Sequence, residues 1–446
     1  MEQFFHLKEH GTTVRREIFA GLTTFLAMSY ILAVNPSILG NVMNASGVFV
    51  ATAVASAAAT FIMGVWANYP IALSAGMGLN AYFAFTVCLG ELQGDPNAFK
   101  VGLTAVFVEG IVFIILSLFH FREKIINAIP ANLKFGISAG IGLFIAFIGL
   151  SSAGITVADP STLVALGSFG SAPMVLALLG FLLILLLVQH KIPGAVLIGI
   201  LATWIMGMIA QAIGWYTGPS VFPDFSAGLQ LGGIKETAFQ LDFGWAATHI
   251  AEFVAITFSF LFVDLFDTVG TVVGVADKAD LLDENGELPR VGRVFLADAF
   301  GTTLGACLGT STVTSYVESS TGVAAGGRTG LASVTTAVLF LASLVLSPFF
   351  LAIPSFATTP ALMYVGLLMV ASAQKIKFHG EIADVAGAYM ALIIMPMTYS
   401  IANGIMLGVI TWVLLKTLTG KARDIHPVMW VVFALFAVRI VSLVLG

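Results

Sequence analysis

The chain has few charged residues and only two cysteines, and it lacks the motifs of several classes of enzyme. Charged residues make up 10% of the 446 residues, whereas a soluble domain carries roughly a quarter. The two cysteines, Cys88 and Cys307, lie in apolar stretches and are interpreted as small buried residues. We find no phosphate-cradling P-loop, metal-ligand spacing or hydrolase motif. An ATP-driven pump is therefore disfavoured, and no cofactor or metal is predicted.

Long apolar runs make up most of the chain. Hydrophobic residues are 58% of the total and the mean hydropathy is +1.00. Runs of about 20 residues, each long enough to cross ~30 Å of hydrocarbon, recur along the whole length. They predict an all-α integral membrane protein with fourteen spans and a further apolar stretch over 427–445. The predicted spans are 18–39, 48–68, 70–90, 101–121, 132–154, 172–189, 192–213, 248–275, 292–308, 310–327, 329–352, 358–375, 383–399 and 400–418.

The positions of lysine and arginine predict the orientation of the chain in the membrane. Lys8, Arg15 and Arg16 precede the first span, and further basic residues recur in loops on the same predicted side. Loops on the opposite side, at 40–47 and 155–171, contain no lysine or arginine. Because basic residues accumulate on the cytoplasmic side, we expect a cytoplasmic N-terminus.

Seven spans, a polar loop and seven more spans predict an inverted repeat. An odd number of spans makes the second copy start on the opposite side of the membrane. The third element of each half, at 68–82 and at 309–330, is interrupted by Gly, Ser, Thr or Pro. Paired interruptions at matching positions point to the binding site of a transporter, where irregular backbone lines a cavity. We expect each element to contain a half-helix whose free N–H groups point into that cavity.

Two acidic residues lie at membrane depth within these segments. Asp267 lies in 260–271 and Glu318 in 309–322, and both have Gly, Ser or Thr neighbours. A carboxylate inside a bilayer costs on the order of a few kcal/mol, so it usually faces a polar cavity. Asp264 lies three residues before Asp267, on the same face of the predicted helix. These carboxylates predict where the functional site lies.

Several motifs, specific when taken together, resemble one family. They are Gly-Leu-Thr-Thr-Phe-Leu-Ala-Met (21–28), Val-Asn-Pro (34–36), Gly-Met-Gly-Leu-Asn-Ala-Tyr-Phe (76–83), Asp-Leu-Phe-Asp-Thr-Val-Gly-Thr (264–271) and Tyr-Val-Glu-Ser-Ser-Thr-Gly-Val-Ala-Ala-Gly-Gly-Arg-Thr-Gly-Leu (316–331). They resemble the first, third, eighth and tenth spans of the AzgA-like purine permeases in the nucleobase cation symporter-2 superfamily. The resemblance covers nearly all of the chain.

The resemblance implies a fold and a function. The fold is a 7+7 inverted repeat shared with the uracil permease, in which a core domain moves against a gate domain. The implied parts are core 1–122 and 248–352, gate 123–213 and 353–446, and an extracytoplasmic loop over 214–247. The function is proton-coupled symport of hypoxanthine, guanine and adenine by alternating access. Fold analogy also favours a homodimer through the gate domains.

The resemblance maps substrate contact onto Asn80, Asp267 and Glu318, and their chemistry suits a purine. A carboxylate such as Glu318 accepts two adjacent N–H donors, and Asn80 offers one acceptor and two donors. Thr312 completes the predicted polar contacts, and Phe262 and Phe25 are the predicted stacking rings. A buried carboxylate can hold a proton, so Asp267, Glu318 and Asp264 are the predicted coupling residues.

Simpler interpretations stay open at this point. Asp267 would otherwise bond free backbone N–H groups near Gly270, and Glu318 and Asn80 would cap their own half-helices. Glu109 and Asp298 are interpreted as hydrogen-bonding groups inside the core. An anion transporter on the same fold is the rival function, although two carboxylates suit an anion poorly. The sequence contains no nucleophile–base pair of the kind that a membrane-embedded enzyme would need. Nucleic acid is not an expected partner.

Overall fold

The computed structural model describes residues 2–118, 128–226, 228–278, 281 and 288–445. Side chains at 266, 267, 269, 270, 273, 274, 276–278 and 442–445 lie outside this description. Over the described residues the protein is mostly helical, as the apolar runs predict. The predicted coupling residue Asp267 therefore has a described backbone, within a long helix, but no described side chain.

The first half of the chain begins with α1 and ends with α8. Its elements are α1 (Val14–Met28), α2 (Ile31–Leu39), α3 (Ala45–Ile62) with a π-helical continuation (Met63–Ala67), β1 (Leu73–Ala75), α4 (Met77–Ala81) with a π-helical continuation (Tyr82–Glu91), α5 (Ala98–Leu118), α6 (Ala131–Ser152), β2 (Thr156–Asp159), β3 (Leu163–Leu166), α7 (Ala172–Gln189) and α8 (Ala195–Ala212). β2 and β3 form an antiparallel hairpin in the loop after α6.

The second half begins after two short helices in the polar loop, α9 (Ile234–Thr237) and α10 (Phe243–Thr248). Its elements are α11 (Ile250–Lys278), α12 (Val291–Leu308), β4 (Val313–Ser315), α13 (Ser319–Ala324), α14 (Gly330–Ala342), a 3-10 turn (Ser343–Leu346), α15 (Ser347–Leu351), α16 (Ser355–Val370) with a 3-10 continuation (Ala371–Lys375), α17 (Ile382–Met397), α18 (Ile401–Leu418), a 3-10 turn (Ala422–Asp424) and α19 (Pro427–Leu445).

Ten helical segments of the described chain are long and apolar enough to cross a membrane. They are Val14–Leu39, Ala45–Ala67, Ala98–Leu118, Ala131–Ser152, Ala172–Gln189, Ala195–Ala212, Val291–Leu308, Gly330–Leu351, Ser355–Lys375 and Ile401–Leu418. They confirm a helical protein that passes through the membrane many times. The count of fourteen spans stays a prediction.

The first span, predicted over 18–39, corresponds to the apolar segment Val14–Leu39, which contains a turn between two helices. Ser29 and Tyr30 separate α1 from α2, and both keep right-handed helical dihedrals. The break places the side chain of Tyr30 in the interior of the bundle, where it is fully buried.

A short strand from each half pairs with the other inside the bundle. β1 and β4 run antiparallel, and all of their residues are buried. The register pairs Leu73 with Ser315, Ser74 with Thr314 and Ala75 with Val313. The Gly76 N–H donates to Thr312 O at 3.0 Å and the Tyr316 N–H to Ala72 O at 2.9 Å, extending the ladder at both ends. Non-helical backbone at membrane depth needs such partners, because lipid offers none.

The helices pack in two groups. In the first group α5 packs against α11 and α12, and α1 packs against α14. In the same group α3 packs against α2, α12 and α14. In the second group α6 packs against α16 and α17, α7 against α8 and α16, and α17 against α18. The last helix, α19, contacts α18 of the second group and α11 of the first. The strand pair belongs to the first group, which therefore holds the irregular backbone.

Candidate functional site

Glu318 lies between β4 and α13, where the chain leaves the strand pair. It occupies the N-cap position of α13, but its side chain makes no capping hydrogen bond. Instead, Glu318 Oε1 accepts a hydrogen bond from the Tyr30 hydroxyl at 2.6 Å. Glu318 is half-buried and Tyr30 is fully buried. The carboxylate is thus held by Tyr30, which lies between α1 and α2, 288 positions earlier in the chain.

Sequence reasoning did not single out Tyr30. The available signal was a tyrosine beside Ser29 in an otherwise apolar run, followed by Asn35 and Pro36. Asn35 also belongs to the polar interior: its amide donates to Thr52 Oγ1 at 2.7 Å and to Thr310 Oγ1 at 2.8 Å. The polar residues of the first span therefore face the interior and contact residues of the second half.

Asn80 lies within α4 and is fully buried. Its Oδ1 accepts a hydrogen bond from Ser311 Oγ at 2.7 Å. Its Nδ2 has no hydrogen-bond partner among the residues described. Gly76, and not Asn80, is the N-cap of this helix. A buried amide donor without an acceptor costs about 1–3 kcal/mol, so a ligand that accepts from Nδ2 would recover that energy.

Buried polar side chains of α11 and α12 form a network next to the strand pair. The Thr268 hydroxyl is 3.1 Å from Asp264 Oδ1 and 3.0 Å from Asp298 Oδ2. It also lies 2.8 Å from the hydroxyl of Thr314 in β4, and Ser315 donates to Asp298 at 3.4 Å. Asp264, a predicted coupling residue, therefore shares a threonine with Asp298. The network connects α11 and α12 to the strand pair.

Thr312, a predicted substrate contact, lies immediately before β4. Its hydroxyl donates to Glu109 Oε2 at 2.9 Å, and both side chains are fully buried. Its carbonyl accepts from the Gly76 N–H, as described above. Thr312 thus connects the strand pair to α5, which carries Glu109.

The two predicted stacking rings each have an aromatic neighbour. Phe25 on α1 is half-buried and meets Phe340 edge-on, with ring centroids 5.3 Å apart. Phe262 on α11 is buried and lies 5.6 Å from the ring centroid of Phe258. Their role in stacking on a substrate stays a prediction.

The structure thus brings the predicted residues together in separate sets. Glu318 meets Tyr30, Asn80 meets Ser311, Thr312 meets Glu109, and Asp264 meets Thr268 and Asp298. No hydrogen bond between described residues joins Asn80 directly to Glu318. Within the described ranges, no group of three or more His, Cys, Asp or Glu side chains could hold a metal ion.

Comparisons with known proteins place the chain in a family. Residues 15–409 match the model of a permease family, Xan_ur_permease. The guanine/hypoxanthine permease PbuO of Bacillus subtilis (strain 168) is 45% identical over 98% of this chain and 99% of its own length. The adenine permease AdeP of Escherichia coli (strain K12) is 40% identical over 99% of this chain and 96% of its own length.

A solved structure shows the same fold at low identity. The transmembrane domain of the cyanobacterial bicarbonate transporter BicA superimposes with a TM-score of 0.66 at 14% identity, covering 87% of this chain and 97% of that one. At this identity the likeness concerns the fold alone, since one fold can serve several functions. The full-length relatives confirm the resemblance carried by the motifs. The chain belongs to the nucleobase cation symporter-2 family of permeases, and it is a multi-pass membrane protein and not an enzyme.

Proposed function

We propose that this protein transports purine nucleobases, namely guanine, hypoxanthine and adenine, across the membrane. The observation that carries the proposal is the position of Glu318. Its half-buried carboxylate lies between β4 and α13 and accepts a hydrogen bond from Tyr30. An acidic acceptor suits the N–H donors of a purine and repels an anion. The similarity to guanine/hypoxanthine and adenine permeases over almost the whole chain supports the same substrate class.

The proposal includes fourteen spans arranged as core and gate. The ten long apolar segments become fourteen if four further elements cross the membrane: β1 with α4 and its π-helix, α11, β4 with α13, and α17. α4 and α13 are then the two half-helices. The two packing groups support a core of 1–122 and 248–352, and a gate of 123–213 and 353–446 joined to it by the loop 214–247.

In this arrangement the core moves against the gate to expose the site to each side in turn. The basic residues before α1 support a cytoplasmic N-terminus in a bacterial inner membrane, with the loop 214–247 outside. A homodimer through the gate domains is part of the same proposal and rests on fold analogy.

The substrate would be bound by one charged and one neutral group. Tyr30 occupies one acceptor position of the Glu318 carboxylate, and the remaining positions suffice for N1–H and the exocyclic amine of guanine. The Asn80 amide, which lacks a partner among the described residues, suits a ring acceptor. Phe25 and Phe262 remain the proposed stacking faces, and Thr312 supports the strand from which Glu318 follows.

Uptake into proteoliposomes tests the substrate class. We expect labelled guanine, hypoxanthine and adenine to accumulate, and unlabelled purines to compete with them. Uracil should compete poorly, because a pocket sized for two fused rings holds a single ring loosely. Competition by sulfate or bicarbonate but not by purines would contradict the proposal and favour an anion transporter on this fold.

Proton coupling is the second part of the proposal, with Asp267 as the principal coupling residue and Glu318 and Asp264 as further participants. Intramembrane carboxylates commonly form proton relays in transporters. Asp267→Asn imitates the protonated form, so it should abolish accumulation of guanine against a gradient while leaving exchange of bound substrate.

Uptake with and without a protonophore measures this coupling. Asp298→Asn is the comparison variant, because Asp298 is interpreted as a hydrogen-bonding group inside the core, where it accepts from Thr268; we expect it to keep accumulation that a protonophore abolishes. Accumulation by Asp267→Asn that still depends on the proton gradient would exclude Asp267 as the coupling group.

A further inference from the structure

Tyr30 occupies a rigid position next to the candidate site. Its backbone carbonyl accepts from the N–H groups of Ala33 and Val34, each at 3.0 Å, so the first turn of α2 fixes the backbone. Its ring is fully buried in the main apolar core. The phenol oxygen is 2.6 Å from Glu318 Oε1. A hydroxyl held on this rigid ring is a donor with a fixed direction.

Other tyrosines lie near Glu318, and the described hydrogen bond to its carboxylate comes from Tyr30. Tyr316, two residues earlier in the chain, uses its hydroxyl to donate to Ala75 O at 2.5 Å. Tyr364 is half-buried on α16 of the second helix group. The hydrogen bond from Tyr30 joins residues of the same helix group, so the proposed movement of one group against the other would not by itself separate them.

An ionised carboxylate accepts hydrogen bonds at about four lone-pair positions on its two oxygens. A donor fixed on Oε1 distinguishes the two oxygens and stops the carboxylate from rotating freely. Oε2 and the second position on Oε1 are then left in a constant orientation. Without the donor, a ligand would have to immobilise the side chain itself, which weakens binding.

We propose that Tyr30 is a positioning residue that orients the Glu318 carboxylate for the adjacent N–H donors of a purine. The inference rests on the proposed function, since it concerns the same site. It adds a residue from the break in the first span to a site whose predicted polar contacts came from the third, eighth and tenth elements.

Tyr30→Phe tests the inference, because it keeps the ring and removes only the hydroxyl. We expect the KM for guanine uptake to rise roughly tenfold, with Vmax per inserted protein unchanged, because a hydrogen bond to a charged group is lost. In a Glu318→Gln background the same substitution should raise KM by no more than about threefold, since residues in direct contact do not act additively.

Tyr69→Phe is the matched control. Tyr69 is also buried, and its hydroxyl donates to the backbone carbonyl of Pro289, away from Glu318. It should leave the KM unchanged. If Tyr30→Phe inserts poorly, equilibrium binding of guanine per mole of folded purified protein provides the same comparison.

An unchanged guanine affinity in Tyr30→Phe would overturn the inference. An equal loss with and without the Glu318 carboxylate would also overturn it, because the hydroxyl would then act on something else. Failure of the unaltered protein to take up any purine would instead reject the proposed function. The two failures are therefore distinguishable.

Discussion

Two segments at the centre of the protein, each a short strand followed by a helix, have similar backbones but carry chemically different side chains. The first consists of β1, α4 and a π-helix that continues to Glu91, and the predicted substrate-binding residue that it carries is Asn80, a neutral amide. The second consists of β4 and the short α13, and its polar group is the carboxylate of Glu318. Similar backbones therefore present one neutral and one charged group. We infer that the second element supplies the charge-assisted part of binding and the first the neutral part.

The largest expected effect comes from the packing of the second element. A Cβ at Gly322 would lie 2.0 Å from Thr24 Oγ1 and 2.6 Å from the backbone oxygen of Ala20, so α13 would have to move away from α1. A Cβ at Gly78, in the first element, would lie 2.9 Å from a side-chain methyl of Ile141, which can shift more easily than backbone. Overpacking of this kind costs about 1–3 kcal/mol.

Gly322→Ala should therefore abolish purine uptake, and Gly78→Ala should retain about half of it or more. The measurement is uptake normalised to the amount of protein in the membrane. A larger loss of uptake in Gly78→Ala than in Gly322→Ala would contradict this prediction.

The far end of the first element is anchored by an ion pair. Glu91, at the end of its π-helix, pairs with Arg439 of α19, whose side chain is 10% exposed. Phe436 of α19 also meets Phe258 of α11 edge-on at 5.5 Å. The predicted apolar stretch over 427–445 is thus a helix that contacts both helix groups.

Arg439→Gln should lower the free energy of unfolding by roughly 1–3 kcal/mol, between the values for exposed and buried pairs. Arg423→Gln is the control, because Arg423 is exposed in the preceding 3-10 turn. Thermal unfolding in detergent measures both. Equal stability of the two variants would show that the ion pair does not anchor the first element.

The smallest expected effect comes from the neutral group. Asn80→Ala removes an amide that donates no described hydrogen bond and accepts one from Ser311. We expect guanine binding to weaken by about 0.5–1.5 kcal/mol, the usual value of one neutral hydrogen bond. Ser311→Ala should weaken it less, because Ser311 only supports Asn80. Direct binding assays would decide, and stronger guanine binding by Asn80→Ala would remove Asn80 from the site.

The sequence predicted the long helices well but not the contacts between distant segments. Spans such as 132–154 and 292–308 agree closely with Ala131–Ser152 and Val291–Leu308, because a lipid environment demands long apolar runs. The strand pair escaped prediction because three-residue strands show no alternating pattern. The role of Tyr30 was not predicted because its partner, Glu318, is distant in the sequence.

The interpretation of Asp298 and Glu109 as hydrogen-bonding groups inside the core agrees with their contacts to Thr268 and Thr312. Intramembrane acids need such partners, so their presence in the sequence already predicts a polar interior. Which hydroxyl each acid meets depends on the packing of α5, α11 and α12 around the strand pair. That packing has no local signature in the sequence.

The central claim is that the second element binds substrate through a charged group and the first through a neutral one. The ratio of guanine affinity to hypoxanthine affinity tests it most directly. Guanine has an exocyclic amine beside N1–H, whereas hypoxanthine has N1–H alone. Equilibrium binding of both bases should show that Glu318→Gln loses about 1.5–3 kcal/mol for guanine and less for hypoxanthine. Asn80→Ala should weaken both bases equally. Unchanged guanine affinity in Glu318→Gln, or a selectivity change in Asn80→Ala instead, would contradict this account.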